Sequence, residues 1–189
     1  MQKGNIILLN GVSSAGKSTL ARCLQDKLTT AYYHICCDDF MHMTPRQILH
    51  DDFDNQLNIT QGVMHETIRL FSDRGCHTVV DDVILDLPDK NDWFYDYCTM
   101  FDGYPLLLVR VDCPVHELER REVQRGDRSI GQARWQSEHM DEAITYDLVF
   151  DTYERTTDQC AEEIICLLAQ LERWRALRDN KCRIEKLRE

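Results

Sequence analysis

Apolar residues gather in five short runs, Ile6 to Leu9, Tyr33 to Cys37, Thr78 to Val83, Leu106 to Val111 and Leu148 to Phe150. Runs of this length without strict alternation fit strands covered on both faces, because an exposed face would put a polar residue at every second position. Between them, apolar positions recur at three- and four-residue spacing. That predicts amphipathic helices near Lys17 to Leu28, Gly62 to Asp73, Asp92 to Phe101, Val115 to Arg125 and Asp158 to Arg175. Strands alternating with helices predict an α/β fold, a three-layer α/β/α arrangement around a five-stranded parallel sheet. Ligands in such folds sit at the C-terminal ends of the strands.

No internal repeat, low-complexity tract or Gly/Ser linker interrupts the pattern, so residues 1–175 are expected to form one domain. The segment Glu172 to Glu189 differs, with seven Lys/Arg against four Asp/Glu. Trp174, Leu177, Ile184 and Leu187 leave only a thin apolar stripe on it. Residues 176–189 therefore read as a charged, solvated helical extension, with a homodimer contact as the alternative.

The 189 residues are 43% hydrophobic and 29% charged, ordinary for a globular chain. With 33 acidic against 22 basic residues, the formal net charge is −11. That balance argues against nucleic acid and against an anionic membrane surface as partners, since both are held by clustered Lys and Arg. It leaves room for a small anion, which needs only a local positive site. Nine cysteines without C-x-x-C spacing suggest neither a disulfide framework nor a zinc site, and read mostly as small core residues in a reducing cytoplasm. The run Ile6 to Leu9 is too short for a signal peptide or a membrane span.

Directly after the first strand stands GVSSAGKS, Gly11 to Ser18, matching G-x-x-x-x-G-K-[ST] at every fixed position. A strand before it and a helical pattern after it supply the setting in which this motif works. Gly11 and Gly16 allow Val12, Ser13, Ser14 and Ala15 to turn backbone N–H groups inward as an anion nest. The start of the helix, with Thr19, adds its positive dipole end. Lys17 can reach the β- and γ-phosphates of ATP, and the Ser18 hydroxyl is placed to ligate Mg²⁺.

Two further strands end in paired acids. Val79 to Asp82 reads VVDD, and either Asp81 or Asp82 suits the Mg²⁺ side of the site, with Asp81 preferred as the first acid after the strand. The second strand leads to Asp38-Asp39. Asp38 is the candidate general base for an attacking hydroxyl, against the alternative that one of the pair caps the next helix.

The densest positive cluster is RREVQRGDRSIGQAR, Arg120 to Arg134, with Arg121, Arg125 and Arg128 around a break at Gly126-Asp127. Beside a phosphate loop it reads as a hinged lid, about residues 120–136, bringing positive charge to the γ-phosphate. A solvated helix face paired with Glu117, Glu119 and Glu122 is the alternative. His34 and His42 flank the candidate base, while Trp93, Trp135 and Trp174 fall on helical patterns where core packing is the default.

Taken together, these residues resemble the chloramphenicol phosphotransferase family of P-loop kinases. The resemblance rests on IILLNGVSSAGKS, Asp38, VVDDV, RGDR at Arg125 to Arg128, then Gly131, Ala133, Gln136, Tyr146-Asp147 and Asp151-Thr152. It implies a nucleoside-monophosphate-kinase-like fold with a helical lid, ATP with Mg²⁺, and phosphorylation of a hydroxyl on a small molecule. By motif position it implies Asp38 as general base, Gly11 to Ser18 as the ATP loop, and Arg121, Arg125 and Arg128 as lid cations. The chain departs from the family between Asp38 and Asp81. There, Met41 to Asn55 is polar and acidic, where a pocket for a nitrophenyl antibiotic is largely apolar. Asp141 replaces a histidine expected near the end of the lid.

An ATP-dependent small-molecule kinase, chloramphenicol phosphotransferase-like, is the leading expectation. A nucleotide or nucleotide-sugar kinase of zeta-toxin-like type is an alternative, although only Arg46, Arg69 and Arg74 stand between the second and third strands to meet an acceptor phosphate. A non-enzymatic ATP-binding switch is the third reading, and it would need no acceptor base.

Overall fold

A computed structural model of the chain describes residues 2–85, 93–126, 130–140 and 142–188, without the side chain of Trp93. Strands β1 (Ile6–Asn10), β2 (Tyr32–Cys36), β3 (His77–Asp82), β4 (Leu106–Asp112) and β5 (Leu148–Asp151) form one parallel sheet in the order β2-β3-β1-β4-β5. β1 is central and wholly buried because it feeds two cores at once. Ile7 and Leu9 join the layer beneath α1 (Lys17–Lys27) and α8 (Thr157–Leu168). Ile6 and Leu8 join the opposite layer, the two-residue alternation of a strand covered on both faces. That second layer is roofed by α4 (Phe53–Asp73), α5 (Trp93–Met100) and α9 (Ala176–Arg188), through Met64, Ile68, Tyr97, Phe101, Ala176 and Leu177. The fold is therefore the three-layer α/β/α arrangement.

Two short helices, α2 (Cys37–Met41) and α3 (Arg46–Asp51), precede α4, which starts nine residues before the periodicity indicated. The reason is burial. α3 buries no residue, and the first buried residue of α4 is Gln61, so this stretch carries no apolar stripe to read. After β4 come α6 (Val115–Arg125) and α7 (Gln132–Glu138).

The C-terminal segment also departs from expectation. The helix foreseen over Asp158 to Arg175 ends at Leu168 and gives way to a single 3₁₀ turn, Leu171–Arg173. α9 is not solvated all round. Ala176, Leu177 and Asn180 are buried, Asp147 Oδ1 accepts from the Arg175 and Ala176 N–H groups, and Asn180 bonds the backbone of Thr145. Of the nine cysteines, all free thiols, Cys98 and Cys160 are fully buried. No helix among the described residues is long and apolar enough to cross a membrane.

Candidate active site

The β1–α1 loop is shaped by close approach and by left-handed backbone. A Cβ on Gly11 would lie 2.2 Å from the Val111 carbonyl oxygen of β4, so only glycine can leave β1 along this path. Ser14 (φ 64°) and Gly16 (φ 105°) both take left-handed conformations, the kind of turn that gathers N–H groups on one side and makes a concavity for anions. Val12 and Ala15 are buried in the core and anchor the loop. The hydroxyls of Ser13 and Ser14 are buried without a hydrogen-bond partner among the described residues. Buried polar atoms rarely stay so.

Lys17 is only 6% exposed. Its Nζ donates to the carbonyl oxygens of Gly11 (2.6 Å) and Val12 (3.0 Å) and stands 3.5 Å from Asp81 Oδ1. Ser18 Oγ donates to Asp81 Oδ2 at 2.5 Å. The adjacent acids of β3 point to opposite sides, as strand geometry requires. Asp81 meets the loop, whereas buried Asp82 bonds His65 Nε2 at 2.9 Å and accepts from the Val83 N–H at 2.8 Å. Burial pushes the Asp82 carboxyl up, but the hydrogen bond and charge of His65 outweigh it, with help from the Val83 N–H, and hold the group below its ordinary value.

α6 braces the loop from behind. Arg121 Nη1 donates to Thr152 Oγ1 (3.0 Å) and Nη2 to the Thr152 carbonyl (3.2 Å), while Nε donates to Glu117 Oε1 (2.8 Å). Thr152 Oγ1 donates in turn to the Ala15 carbonyl at 2.7 Å. Arg120 forks onto the same Glu117. Hydrogen bonds from Arg120 and then Arg121 hold the Glu117 carboxyl down at about 2.

One cavity of about 1320 Å³ opens over this edge of the sheet. Ser13, Ser14, Gly16 to Thr19, Asp38, Asp81, Arg121 and Arg125 all line it, so the structure brings these sequence candidates together. Gly11, Val12 and Ala15 support the loop from outside the cavity lining. Arg128 lies outside the described residues, as do Asp127 and Asp141. Asp38 and Asp39 occupy the first turn of α2, whose N-cap is Cys36, so neither acid is the cap. Cys36 and Cys37 also line the cavity, but burial pushes both thiols up to about 12, so they stay protonated and are poor nucleophiles. The arginine cluster divides in two. Arg121 and Arg125 reach the cavity, whereas Arg120 and Arg134 pair with Glu117 and Glu119 on the outer side. Trp135 is 48% exposed on the cavity wall, stacked on His139, rather than packed in the core.

The sequence profile of the chloramphenicol phosphotransferase-like protein family matches residues 4–169. The chain belongs to that family. A protein of Mycobacterium tuberculosis strain H37Rv, named as a candidate O-phosphotransferase, is 29% identical over 188 residues, covering 87% of this chain and 82% of its own. The adenylyl-sulfate kinase of Clostridium acetobutylicum is 26% identical over 179 residues, covering 89% of this chain and 85% of that protein. The structure of the Mycobacterium tuberculosis APS kinase, in complex with AMPPNP and APS, superimposes with a TM-score of 0.64 at 19% identity. It covers 90% of this chain and 100% of that one, a likeness of fold.

Within this family member, three residues of the site had been given no such role by the sequence. Gln136, on α7, accepts from the Ser13 N–H through Oε1 at 2.6 Å and so ties α7 to the phosphate loop. Glu122, 1% exposed, takes the N–H groups of Gly131 (2.7 Å) and Ala133 (2.9 Å) and caps the start of α7. His65 shields Asp82. Two of them left a trace in the sequence, Gln136 as one of the residues shared with the family and Glu122 as a carboxylate among the arginines ahead of a glycine that opens a helix.

Proposed function

We propose that the protein is a kinase that moves the γ-phosphoryl group of ATP, with Mg²⁺, to a hydroxyl of a small molecule. The observation that carries this reading is the shared cavity, in which the Lys17/Ser18/Asp81 cluster and Asp38 open onto one space. Its volume exceeds the roughly 300–1,000 Å³ of a pocket for one drug-sized ligand, as a site for two substrates should.

The residues present suit an ATP triphosphate. The left-handed turn, the Ser13 and Ser14 hydroxyls, which have no partner among the described residues, and the α1 N-terminus together suit an anion. Lys17 is already buried, so a phosphate gains a charge-assisted partner while the ammonium loses little further hydration. The donor set also suits magnesium. Ser18 Oγ and the Asp81 carboxylate would hold it, a sparse oxygen set suited to a cation that keeps several waters. Bound there, Mg²⁺ would neutralise part of the triphosphate charge.

Arg121 and Arg125 add positive charge on the side of α6, with Arg128 of the same segment as a third lid cation. In the transfer, the acceptor hydroxyl oxygen bonds to the γ-phosphorus and its proton passes to Asp38. The bond to the β–γ bridging oxygen breaks, and ADP leaves. A well-placed base of this kind contributes roughly 10²- to 10⁴-fold. The lid, about residues 120–136, excludes water while the group moves.

The test is ATP consumption by the full chain, with Mg²⁺, against hydroxylated antibiotics, nucleosides and sugars. Acceptor-dependent ADP release with one phosphate gained by the acceptor is expected. Failure of ATP·Mg²⁺ to bind at all would remove the reading.

A further inference from the structure

The part of the cavity away from the phosphate loop, which the kinase reading gives to the second substrate, has a charge of its own. Every described cation that lines the cavity, Lys17, Arg22, Arg121 and Arg125, comes from α1 or α6. The described residues contributed by β2, α2, α3 and α4 include Asp38, Asp39 and Asp54, and no Lys or Arg. A phosphate, sulfate or carboxylate on the second substrate would face these carboxylates, with the imidazoles of His34 and His42 beside them and no Lys or Arg among the described residues of that wall. Like charges brought together in this way are a device of rejection.

An independent observation concerns Gln61. It is 5% exposed, lines the same wall, and its Oε1 is buried with no hydrogen-bond partner among the described residues. A buried amide oxygen without a donor costs free energy until one arrives, so this wall calls for an O–H or N–H from a ligand. The carboxylates and the amide oxygen accept hydrogen bonds only, and the imidazole of His34 on the same wall, its Nε2 buried with no partner among the described residues, accepts in one tautomer and donates in the other. Met41, Leu49, Phe53 and Leu57 line the space among them. Such a wall accommodates a compact carbon skeleton that carries donors at its edge.

We infer that the second substrate is a hydroxylated molecule bearing an ammonium group, an amino alcohol or amino sugar in class, with its positive charge turned towards Asp39 and Asp54 and its donors available to Gln61. The inference deepens the kinase reading and depends on it only for calling this half of the cavity the substrate's. Asp54 and Asp39 are exposed on the wall, so the attraction acts through water and selects charge sign more than it adds raw affinity.

Three probes on one aryl-diol scaffold separate the charge classes: chloramphenicol, a neutral amide; its deacylated amino-diol, an ammonium ion at neutral pH; and its hemisuccinate, a carboxylate. Titration calorimetry on the full chain should find the amino-diol at least tenfold tighter than chloramphenicol, and the hemisuccinate weakest. Asp54→Asn should reduce the amino-diol's advantage at least threefold. Glu154→Gln, a surface acid outside the cavity, controls for the general attraction of a cation to an acidic protein and should leave that advantage unchanged. Gln61→Leu should weaken the amino-diol and chloramphenicol alike. Equal affinities, preference for the neutral or anionic probe, no binding of the amino-diol, or an advantage that survives Asp54→Asn would each overturn the inference. ATP·Mg²⁺ binding is measured on the same preparations. Loss of nucleotide binding with the amine preference intact removes the kinase reading alone, and nucleotide binding without the preference removes only this one.

Discussion

Replacing Glu122 by glutamine keeps the shape of a buried side chain and removes one of the two oxygens that hold the start of α7. In the native protein Oε2 accepts from Gly131 and Oε1 from Ala133, with the residue almost wholly enclosed. A glutamine has one carbonyl oxygen, so one N–H must face an NH₂ group. The loss is one hydrogen bond to a charged group, about 1.5–3 kcal/mol, and the stranded donor carries an overlapping cost of about 1–3 kcal/mol. Because the neutral amide is cheaper to bury than a carboxylate, the net expectation is about 2–3 kcal/mol of lost stability. At roughly 2–4 °C per kcal/mol for a domain of this size, Tm falls by about 4–12 °C. Urea and thermal unfolding read the global loss, and hydrogen exchange at the Gly131 and Ala133 amides reads the local one. A variant within about 0.5 kcal/mol of the native protein, with those two amides equally protected, would refute the claim that Glu122 clamps α6 to α7.

Three other outcomes follow from the same structure. Lys17→Ala removes a buried ammonium that bonds two loop carbonyls and neighbours Asp81, and should weaken ATP·Mg²⁺ by about a hundredfold or more in calorimetry, the scale of two charge-assisted hydrogen bonds. Glu117, held at about 2 by Arg120 and Arg121, is an acid with a depressed folded pKa. Its contribution is present above its unfolded value of about 4.3 and is lost as pH falls towards 2, so Glu117→Gln should flatten part of the decline in unfolding free energy between pH 5 and pH 2. Asn180 is fully buried and makes three hydrogen bonds, two of which join α9 to Thr145 in the segment before β5. Asn180→Ala should cost about 2–4 kcal/mol in urea unfolding, a loss that a freely solvated extension would not show.

The sheet was legible because β1, β3 and β4 are covered on both faces, and a short uninterrupted apolar run between turn residues suits little besides a strand so covered. The phosphate loop was legible because its glycines, lysine and serine are each fixed by backbone geometry within eight residues. What remained hidden depends on partners distant in sequence. Gln136 meets Ser13 across 123 residues, and nothing in either neighbourhood announces the bond. α3 and the first turns of α4 bury so little that they carry no periodic signal. The docking of α9 rests on a buried asparagine and on Asp147, polar groups that a search for apolar stripes passes over. The two acids of β3 were separated in the sequence only by their order, which favoured Asp81, whereas the pleat turns Asp81 towards Ser18 and Asp82 towards His65.

The central claim is that Asp38 and the phosphate loop act on one reaction in one cavity. Its most direct test follows the γ-phosphate of labelled ATP into an added hydroxylated acceptor, comparing the native protein with Asp38→Asn. ATP·Mg²⁺ affinity should be retained, because Asp38 lies outside the loop, while transfer should fall by roughly 10²-fold or more. Undiminished transfer in Asp38→Asn, or loss of nucleotide binding together with transfer, would contradict the account.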